Sequence, residues 1–486
     1  MNILLINHYA GSLQHGMEYR PYYLAREWVR RGHRVHIVAA SYSHLRRQAP
    51  AVSARAWSEE EIDGIGYIWL RTPRYEGNGA ARIRNMLAFV TRLWLEAPRL
   101  VRSAAPDAVI ASSTYPLDIW PAHRIARLSG ARLLHEVHDL WPLTPMELGG
   151  YSRRHPFIML LQAAENHACR HADAIVSMLP MVRQHLEARG MAPHKLHIIP
   201  NGADPDEWPI DAASAAPRMP GGQATMSLAA ASSFATAALD RIAARAAEHR
   251  PLSEKPRHDC ASMPKTAAAA AAAVMPTAPA QLLAQLPPLL AKLLSQLRAQ
   301  GKTIVAYTGS HGVANALDTL LDAARLMHDR PLAFVLVGAG LEKERLQQKA
   351  QRRELPNVHF AAPVAKRHIP ALLANIDIAF LGWQRQPLYR FGIAPNKLLD
   401  YMMAGCPVLH AVDAGNDPVA DAGCGLSVAP EDPAAVAHGL LRLLELGPDR
   451  RRALGARGRR YALEHFTYPV LAQRFLDVLA QELPHD

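Results

Sequence analysis

Short apolar runs alternate with helical stretches at both ends of the chain, a pattern typical of parallel sheets with helices on both faces. The predicted strands of the front half are Ile3 to Ile6, Val35 to Ala39, Ala108 to Ala111, Arg132 to Val137, Ala174 to Ser177 and Leu196 to Ile199. Those of the back half are Thr303 to Tyr307, Ala333 to Val337, Val358 to Phe360, Ile376 to Phe380 and Pro407 to Val412. We therefore expect an α/β protein with two doubly wound, Rossmann-like domains whose strand ends face a shared cleft.

The segment between the two predicted domains is rich in Ala, Pro and Ser. It contains an unbroken alanine run from Ala267 to Ala273, and Phe234 is the only aromatic residue between Pro209 and Gln300. So little large apolar surface cannot order a separate core, which predicts a disordered insertion; a partner-binding module is the alternative. The predicted parts of the chain are a first domain at 1–208, the insertion at 209–280, a second domain at 281–465 and a C-terminal helix at 466–486 that packs back on the first domain.

Composition narrows the kinds of site that the chain offers. The 486 residues include four cysteines, none in a close CxxC pair, and the 24 histidines form no HExxH motif. These spacings argue against a disulfide framework and a zinc site, so we expect a cytoplasmic protein without a metal or other cofactor. Met1 to Asn7 predicts a buried strand rather than a signal peptide, and no apolar run reaches the roughly 18 residues of a membrane span.

The formal net charge of +11 favours an anionic partner. Nucleic acid is disfavoured because the basic residues are not interleaved with aromatic residues in a recognisable module. Acidic lipid and a phosphorylated substrate stay open. In the stretch Arg82 to Arg102, apolar residues recur at helical spacing beside several arginines, which suits a helix lying on an anionic bilayer. A helix packed on the sheet of the first domain explains the same spacing.

The segment Phe391 to Val408 is the most informative for function. A glycine turn leads into a short helix with Pro395 at its first position, and Lys397 and Asp400 lie one turn apart on one face. The amides and dipole of such a helix start suit a diphosphate, Lys397 offers it a point charge, and Asp400 can accept hydrogen bonds from a ribose diol. A helix-to-strand turn with a surface ion pair is the alternative.

Two segments of the front half place polar residues at predicted strand ends. After the first strand, Gly11 and Gly16 permit close approach of the backbone to an anion, although a structural glycine turn is the alternative. Farther on, a strand ends in His138 and Asp139, which the doubly wound fold places at the cleft. His138 can donate a hydrogen bond or move a proton, and His135 competes with it because one residue of register changes the face.

Several short motifs follow one another along the chain. They are Gly16-Met-Glu18 with Arg31-Gly-His-Arg-Val35, His138-Asp139, His171-Ala-Asp-Ala-Ile175, Ile199-Pro-Asn-Gly-Ala-Asp204, Val335-Leu-Val-Gly-Ala-Gly340 and Leu399-Asp-Tyr-Met-Met-Ala-Gly405. In this order they resemble the retaining glycosyltransferases of family 4, which have the two-domain GT-B fold. The resemblance covers nearly the whole chain except the insertion. Within the family, the pattern Ala394-Pro-Asn-Lys-Leu-Leu-Asp-Tyr-Met402 and the turn Val137-His-Asp-Leu-Trp-Pro142 resemble the branch that builds bacterial O-antigen and capsule sugars, including N-acetylfucosamine transferases.

The resemblance implies that a nucleotide diphosphate sugar, most often UDP-linked, binds mainly to the second domain. Asp400 matches the second acidic residue of the family's Glu-x7-Glu motif, which holds ribose, while the first acidic position is Gly392 here. The loop after strand Thr303 to Tyr307 also lacks the Arg and Lys that the family often carries, so Lys397 and backbone amides are expected to meet the diphosphate. The implied donor-binding residues are Gly16, Gly309, Ser310, His311, Gly312, Gly392, Ile393, Ala394, Asn396, Lys397 and Asp400.

The resemblance further implies a front-face reaction in which the departing phosphate oxygen takes the proton of the acceptor and the anomeric configuration is retained. His138 and Asp139 are the implied catalytic residues, with His138 stabilising the donor sugar or the developing positive charge. A polyprenyl-diphosphate-linked or saccharide acceptor for surface polysaccharide is expected at the cytoplasmic face of the membrane. The residues implied for acceptor or membrane contact are Glu18, Arg20, Arg82, Arg92 and Trp94.

Two other functions stay open. A nucleotide-sugar epimerase of GT-B shape would need paired acid and base carboxylates in the cleft, and the sequence offers no convincing pair. A catalytically silent scaffold of polysaccharide assembly would account for the missing first carboxylate and the missing loop cations.

Overall fold

The computed structural model describes residues 1–16, 19–51, 57–77, 79–208 and 282–481. Glu18, the predicted insertion at 209–280 and residues 482–486 lie outside the described residues. The described residues form two sheets with helices packed on both faces of each. Among their helices, none is both long and apolar enough to cross a membrane.

The first sheet contains strands β1 Asn2–Ile6, β2 Arg34–Ala40, β3 Trp57–Ile62, β4 Ile65–Leu70, β5 Ala108–Ala111, β6 Arg132–Val137, β7 Ala174–Ser177 and β8 Leu196–Ile198. Their order is β3-β4-β2-β1-β5-β6-β7-β8; β3 pairs antiparallel with β4, and the other neighbouring strands pair in parallel. The helices are α1 Arg20–Arg30, α2 Ala80–Ala104, α3 Ile119–Ser129, α4 Leu143–Glu147, α5 Pro156–His171 and α6 Arg183–Glu187.

The second sheet is parallel and contains β9 Thr303–Thr308, β10 Leu332–Val337, β11 Val358–Ala361, β12 Ile378–Gly382, β13 Val408–Ala411 and β14 Gly425–Ser427, in the order β11-β10-β9-β12-β13-β14. The helices that follow the first domain are α7 Pro288–Ala299, α8 Leu317–Leu326, α9 Lys343–Arg352, α10 Ile369–Leu373, α11 Asn396–Met403, α12 Pro418–Ala422, α13 Pro433–Glu445, α14 Gly447–His465 and α15 Tyr468–Ala480. Both sheets are covered on two faces, which is why most of their strands read as continuous apolar runs.

The two doubly wound sheets are as predicted, and every strand predicted from an apolar run is present. The sequence prediction missed β3, β4 and β14. β3 reads Trp57-Ser-Glu-Glu-Glu-Ile62, an acidic edge strand without an apolar run, and β14 has only three residues. The hairpin between β3 and β4 turns on Asp63 and Gly64, both with positive φ (53° and 77°). Asp-Gly is a recognised signal for such a turn, so this hairpin could have been predicted.

The C-terminal helix α15 packs against α1 of the first domain. The Trp28 indole donates a hydrogen bond to the Ala472 carbonyl (3.1 Å), and its ring centroid lies 5.4 Å from that of Phe475. Leu471 and Phe475 are fully buried in the same apolar cluster as β1 and β2. A helix that follows the second domain in sequence therefore contributes to the core of the first.

Candidate active site

The loop after β9, Gly309 to Gly312, lies against Lys397 of α11. The Lys397 ammonium donates hydrogen bonds to the Tyr307 hydroxyl (2.7 Å) and to Asn315 Oδ1 (2.9 Å). Tyr307 and Asn315 in turn donate to the carbonyl of Ser310, at 2.6 Å and 3.0 Å. The structure thus brings together two parts of the predicted donor site that are separated in sequence by the three strands β10 to β12. The ammonium is held beside the loop by a continuous hydrogen-bond network.

The Lys397 ammonium remains able to bind a ligand. Burial disfavours the charged form and lowers the pKa of Lys397 to about 8, so the group is still mostly charged at neutral pH. An ammonium has three N–H donors, of which Tyr307 and Asn315 engage two. Gly309 leaves room beside the group, because a Cβ there would lie 3.2 Å from Nζ.

The backbone amides of the loop divide into two classes. The Gly309 and His311 amides donate to carbonyls at and just after the end of β10, at 3.0 Å and 2.8 Å. These two amides are therefore engaged, which corrects the expectation that the whole loop cradles a phosphate. Among the described residues, the amides of Ser310 and Gly312 have no partner.

Two glycines that the sequence did not mark as site residues allow this loop to dock. A Cβ on Gly338 would lie 1.8 Å from the Gly309 carbonyl oxygen, and one on Gly340 would lie 2.4 Å from the His311 carbonyl oxygen. No other residue fits at either position. The signal was present as Gly-Ala-Gly immediately after an apolar strand, where a close backbone approach is expected.

His311 is buried in the Gly309 to Gly312 loop, and its ring has no hydrogen-bond partner within the part of the chain that the structure describes. Its side chain is 0% exposed, and neither ring nitrogen has a partner among the described residues. Burial, with the charges of Lys343 and Lys397, lowers the pKa of His311 to about 4, so the ring is neutral at pH 7. A buried polar group left without a partner is costly, and a ligand or an ordered water would relieve that cost.

The amides of Gly392 and Ile393 have internal partners. The Gly392 amide donates to the Tyr389 carbonyl (2.9 Å), and the Ile393 amide donates to Asn416 Oδ1 (2.7 Å). Their predicted contact with a diphosphate is therefore excluded, because these amides close the turn before α11. Gly392 is needed for another reason: its φ is +94°, and a Cβ would lie 2.4 Å from Cδ of Pro180 in the first domain.

The start of α11 still presents backbone N–H groups. Pro395 has a ψ of 125° and is the N-cap residue of the helix, whereas the sequence predicted it as the first helical residue. The amide of Ala394 has no partner among the described residues. Asn396 is the first helical residue and its side chain is exposed. The amides of a first helical turn lack intrahelical partners, so this end of α11 can receive an anion.

Asp400 lies one turn along α11 from Lys397 and is half-buried. Burial raises the pKa of Asp400 to about 7; the charge of Lys366 opposes this shift, and that of Glu207 in the first domain adds to it. The Lys397 ammonium bonds to neutral groups instead of Asp400, which disfavours a simple surface ion pair. Asp400 is therefore a carboxyl poised to change protonation near neutral pH.

His138 follows β6 and meets a buried carboxylate. Its Nε2 lies 3.0 Å from Ser112 Oγ and 3.2 Å from Glu136 Oε2. Glu136 also accepts from Ser112 (2.6 Å) and from Arg20 Nε (2.9 Å). Burial would raise the pKa of Glu136, but Arg20 and His138 outweigh burial and hold that pKa well below its usual range. The sequence prediction missed this ionised carboxylate. His135, the competing histidine, is buried within β6.

Two predicted site residues have structural roles instead. Arg20, expected at the acceptor or membrane, is only 4% exposed and donates to Glu136 and to the Ile199 carbonyl (2.9 Å), so it cannot meet a bilayer. Asp139, expected to be catalytic, accepts three hydrogen bonds that shape the turn after β6. The donors are the Leu140 amide (2.8 Å), Trp141 Nε1 (3.1 Å) and Thr144 Oγ1 (2.7 Å). Asp139 is thus a positioning residue for the turn beside His138.

Gly16 lies in the loop after β1, at the same edge of the sheet as His138. Its φ is +92°, which favours glycine, and its amide donates to the Ser12 carbonyl (2.8 Å). A Cβ at this position would lie 3.1 Å from the Arg47 amide nitrogen. The structure therefore explains the glycine by its backbone conformation and by this close contact.

Helix α2 has a buried face and an exposed one. Phe89 and Leu93 are fully buried against the sheet, as expected for an ordinary packed helix. Arg82 lies over the Tyr9 ring, with 5.5 Å between guanidinium and centroid. Trp94 is 44% exposed, and the Arg124 guanidinium lies 4.8 Å from the centre of its ring. The outer face thus keeps the basic and aromatic character that the sequence suggested.

Family models match both halves of the chain. Residues 15–207 match Glycosyltransferase Family 4, and residues 302–446 match Glycosyl transferases group 1. Each half of the chain therefore matches a glycosyltransferase family model, and the two matches correspond to the two domains of the GT-B fold. The chain is 30% identical over 149 residues to the putative colanic acid biosynthesis glycosyl transferase WcaI of Escherichia coli (strain K12). That match covers 30% of the chain and 36% of WcaI, so the chain spans about a third of the length of this relative.

Solved structures share the fold over nearly the whole chain. Sucrose-phosphate synthase from Thermosynechococcus elongatus superposes with a TM-score of 0.61 at 15% identity, covering 98% of this chain and 97% of that one. Anabaena Alr3699/HepE in complex with UDP and glucose gives 0.56 at 14% identity, covering 99% and 100%. WaaG, a glycosyltransferase involved in lipopolysaccharide biosynthesis, gives 0.55 at 13% identity, covering 99% and 100%. The GT-B fold expected from the motifs is confirmed.

Proposed function

We propose that the protein is a retaining glycosyltransferase that moves a sugar from a nucleotide diphosphate sugar to a lipid-linked or saccharide acceptor in surface polysaccharide assembly. The observation that carries this proposal is the Lys397 ammonium, held beside the Gly309 to Gly312 loop with one donor left for a ligand. WcaI is named for colanic acid biosynthesis and WaaG for lipopolysaccharide biosynthesis, which supports this class of pathway.

The donor is proposed to be UDP-linked and to lie across the second domain. Lys397 and the amides of Ser310 and Ala394 would face the diphosphate, while the Asp400 carboxylate would accept hydrogen bonds from the ribose. HepE, which shares the fold, is known in complex with UDP. In this arrangement the lysine takes the place of the loop cations that the family often carries, and no metal ion is required to neutralise the leaving group.

Transfer is proposed to take place on one face of the donor sugar. The bond between the anomeric carbon and the diphosphate oxygen breaks, the acceptor oxygen bonds to the same face, and the departing phosphate oxygen takes the acceptor proton. His138, beside the ionised Glu136, would stabilise the positive charge that develops on the sugar. The test is transfer by the full chain, with UDP-, GDP- and dTDP-sugars offered alongside a polyprenyl-diphosphate-linked sugar. The absence of any product would contradict the proposal.

The kcat/KM for the donor is expected to fall on both sides of a narrow optimum between about pH 7 and about pH 8. Below about pH 7, Asp400 becomes protonated and its contact with the ribose weakens; above about pH 8, Lys397 loses its charge. Because kcat/KM reports the pKa values of the free enzyme, its pH profile is the measurement. Asp400→Asn should remove the acidic limb and Lys397→Arg should move the alkaline limb upward. Unchanged limbs in both variants would rule these groups out.

A further inference from the structure

A cavity of about 710 Å³ opens between the loops that follow β2 and β4 and the outer face of α2. Three arginines line it: Arg71 and Arg74 from the loop after β4, and Arg92 from α2. The remaining lining residues are Ser41, Tyr42, Ala49, Pro50, Thr72, Pro73 and Ala88. Among the described residues that line the cavity, none carries a carboxylate. Three guanidinium groups around one cavity repel each other, and an anion inside the cavity would offset that repulsion.

The walls of the cavity are ordered by hydrogen bonds between the two loops. The Thr72 amide donates to Ser41 Oγ (3.0 Å), and the Tyr42 amide donates to Thr72 Oγ1 (3.4 Å). The Tyr42 hydroxyl donates to the Tyr75 carbonyl (3.0 Å), and the Arg74 guanidinium lies 5.9 Å from the centre of the Tyr42 ring. An anion would therefore enter a preformed site, which reduces the entropy cost of binding.

The cavity lies on the same edge of the first sheet as His138. Both features follow the carboxyl ends of parallel strands, and β1 and β5 lie between β2 and β6. At about 4.8 Å between neighbouring strands, the end of β6 is about 14 Å from the end of β2. A molecule that presents a sugar hydroxyl near His138 can therefore extend along this edge into the cavity.

Helix α2 also lines a second groove of about 900 Å³, whose walls are mostly apolar but include His123, Arg124, Arg127 and His167. Arg92 lines the cavity, while Val90, Trp94 and Leu95 of the same helix line the groove. Leu95 is 68% exposed and Trp94 44% exposed, and Leu128 across the groove is 52% exposed. A cationic cavity beside an exposed apolar surface suits a ligand with a highly charged head and a hydrocarbon chain.

We propose that the cavity formed by Arg71, Arg74 and Arg92 binds the diphosphate of the acceptor, and that the acceptor is a sugar joined through this diphosphate to a prenyl lipid. The inference rests on the proposed function and narrows its acceptor from any saccharide to a lipid diphosphate. Arginine suits this role because its planar fork can bind two phosphate oxygens at once.

The first test is binding of farnesyl diphosphate to the full chain by titration calorimetry, with saturating UDP to occupy the donor site. Arg74→Ala with Arg92→Ala should weaken binding by about tenfold or more. Arg84→Ala is the matched control, since Arg84 is an exposed arginine of α2 outside the cavity, and it should bind as wild type does. Equal affinity in the double variant would overturn the proposal.

Two further ligands show whether the cavity prefers a lipid diphosphate to a free diphosphate or to a membrane headgroup. Inorganic diphosphate is expected to bind more weakly than farnesyl diphosphate, and equal affinity for the two would overturn the lipid part of the proposal. Phosphatidylglycerol vesicles test for a membrane headgroup site. If the double variant weakens vesicle binding as much as it weakens farnesyl diphosphate binding, the cavity binds lipid headgroups instead, and the proposal is overturned.

Transfer assays then distinguish this inference from the proposed function. With a prenyl-diphosphate-linked acceptor, the double variant should raise the acceptor KM by about tenfold while kcat and the donor KM stay near wild type. An unchanged acceptor KM would overturn the cavity assignment and leave the proposed function standing. Arginine-dependent binding of farnesyl diphosphate by a wild-type protein that transfers no sugar would support the cavity and contradict the proposed function.

Discussion

Replacing Lys397 by methionine is expected to lower kcat/KM for the donor by about 100-fold or more, with a folded protein. The substitution keeps the length of the side chain beside Gly309 but removes a buried positive charge from the place proposed for the leaving diphosphate. Loss of one preorganised donor of this kind typically reduces the rate by about 100-fold to 1,000-fold. Steady-state kinetics with varied donor concentration, together with thermal melting of the variant, provide the measurement.

A matched control for this variant is Lys349→Met. Lys349 also belongs to the second domain, but its ammonium forms ion pairs with Asp318 (2.7 Å) and Asp322 (3.1 Å) of α8. Its removal should leave transfer near the wild-type rate. Wild-type turnover in Lys397→Met would rule out the role proposed for this lysine.

Replacing His138 by alanine is expected to abolish most transfer while the protein still folds and binds the donor. The Arg20 to Glu136 ion pair persists without the histidine, so the buried carboxylate keeps a partner and the core of the first domain is preserved. A rate loss of about 100-fold is expected when a group that stabilises transition-state charge is lost. The measurement is kcat, alongside the dissociation constant of the donor and the melting temperature.

His359→Ala serves as the control for the histidine variant. His359 lies on β11, an edge strand of the second sheet, and is assigned no role in binding or transfer. This variant should retain full activity. Full transfer by His138→Ala would contradict the role of His138 in stabilising the charge that develops on the sugar.

Local patterns of apolar residues were enough to predict the fold. The site was predicted only in part, because some of its contacts join residues far apart in sequence. Apolar runs revealed most strands because a parallel strand buried on both faces is apolar at nearly every position. The acidic β3 has no such run. The Arg20 to Glu136 pair joins residues 116 positions apart, and no local signal links them. The Gly338-Ala-Gly340 run signals a close backbone approach, but only the pairing of β9 with β10 shows that the Gly309 loop is the partner.

Some site residues were misjudged for a local reason. Asp139 and the amides of Gly392 and Ile393 are polar groups at the cleft, and the sequence does not show that turn formation already engages them. The sequence did place Asp139 before a Trp-Pro turn, so hydrogen bonding to its own turn was a foreseeable alternative. Lys397 was expected at the donor loop on the motif alone, and its role there stays a prediction.

The most direct test of the proposed function is the configuration of the transferred sugar. The full chain is incubated with the donor it accepts and a prenyl-diphosphate-linked acceptor, and the anomeric proton of the product is followed by NMR. We predict release of the nucleoside diphosphate and one new glycosidic bond with the anomeric configuration of the donor. An inverted product would contradict the front-face mechanism, and an epimerised donor without transfer would contradict the glycosyltransferase assignment itself.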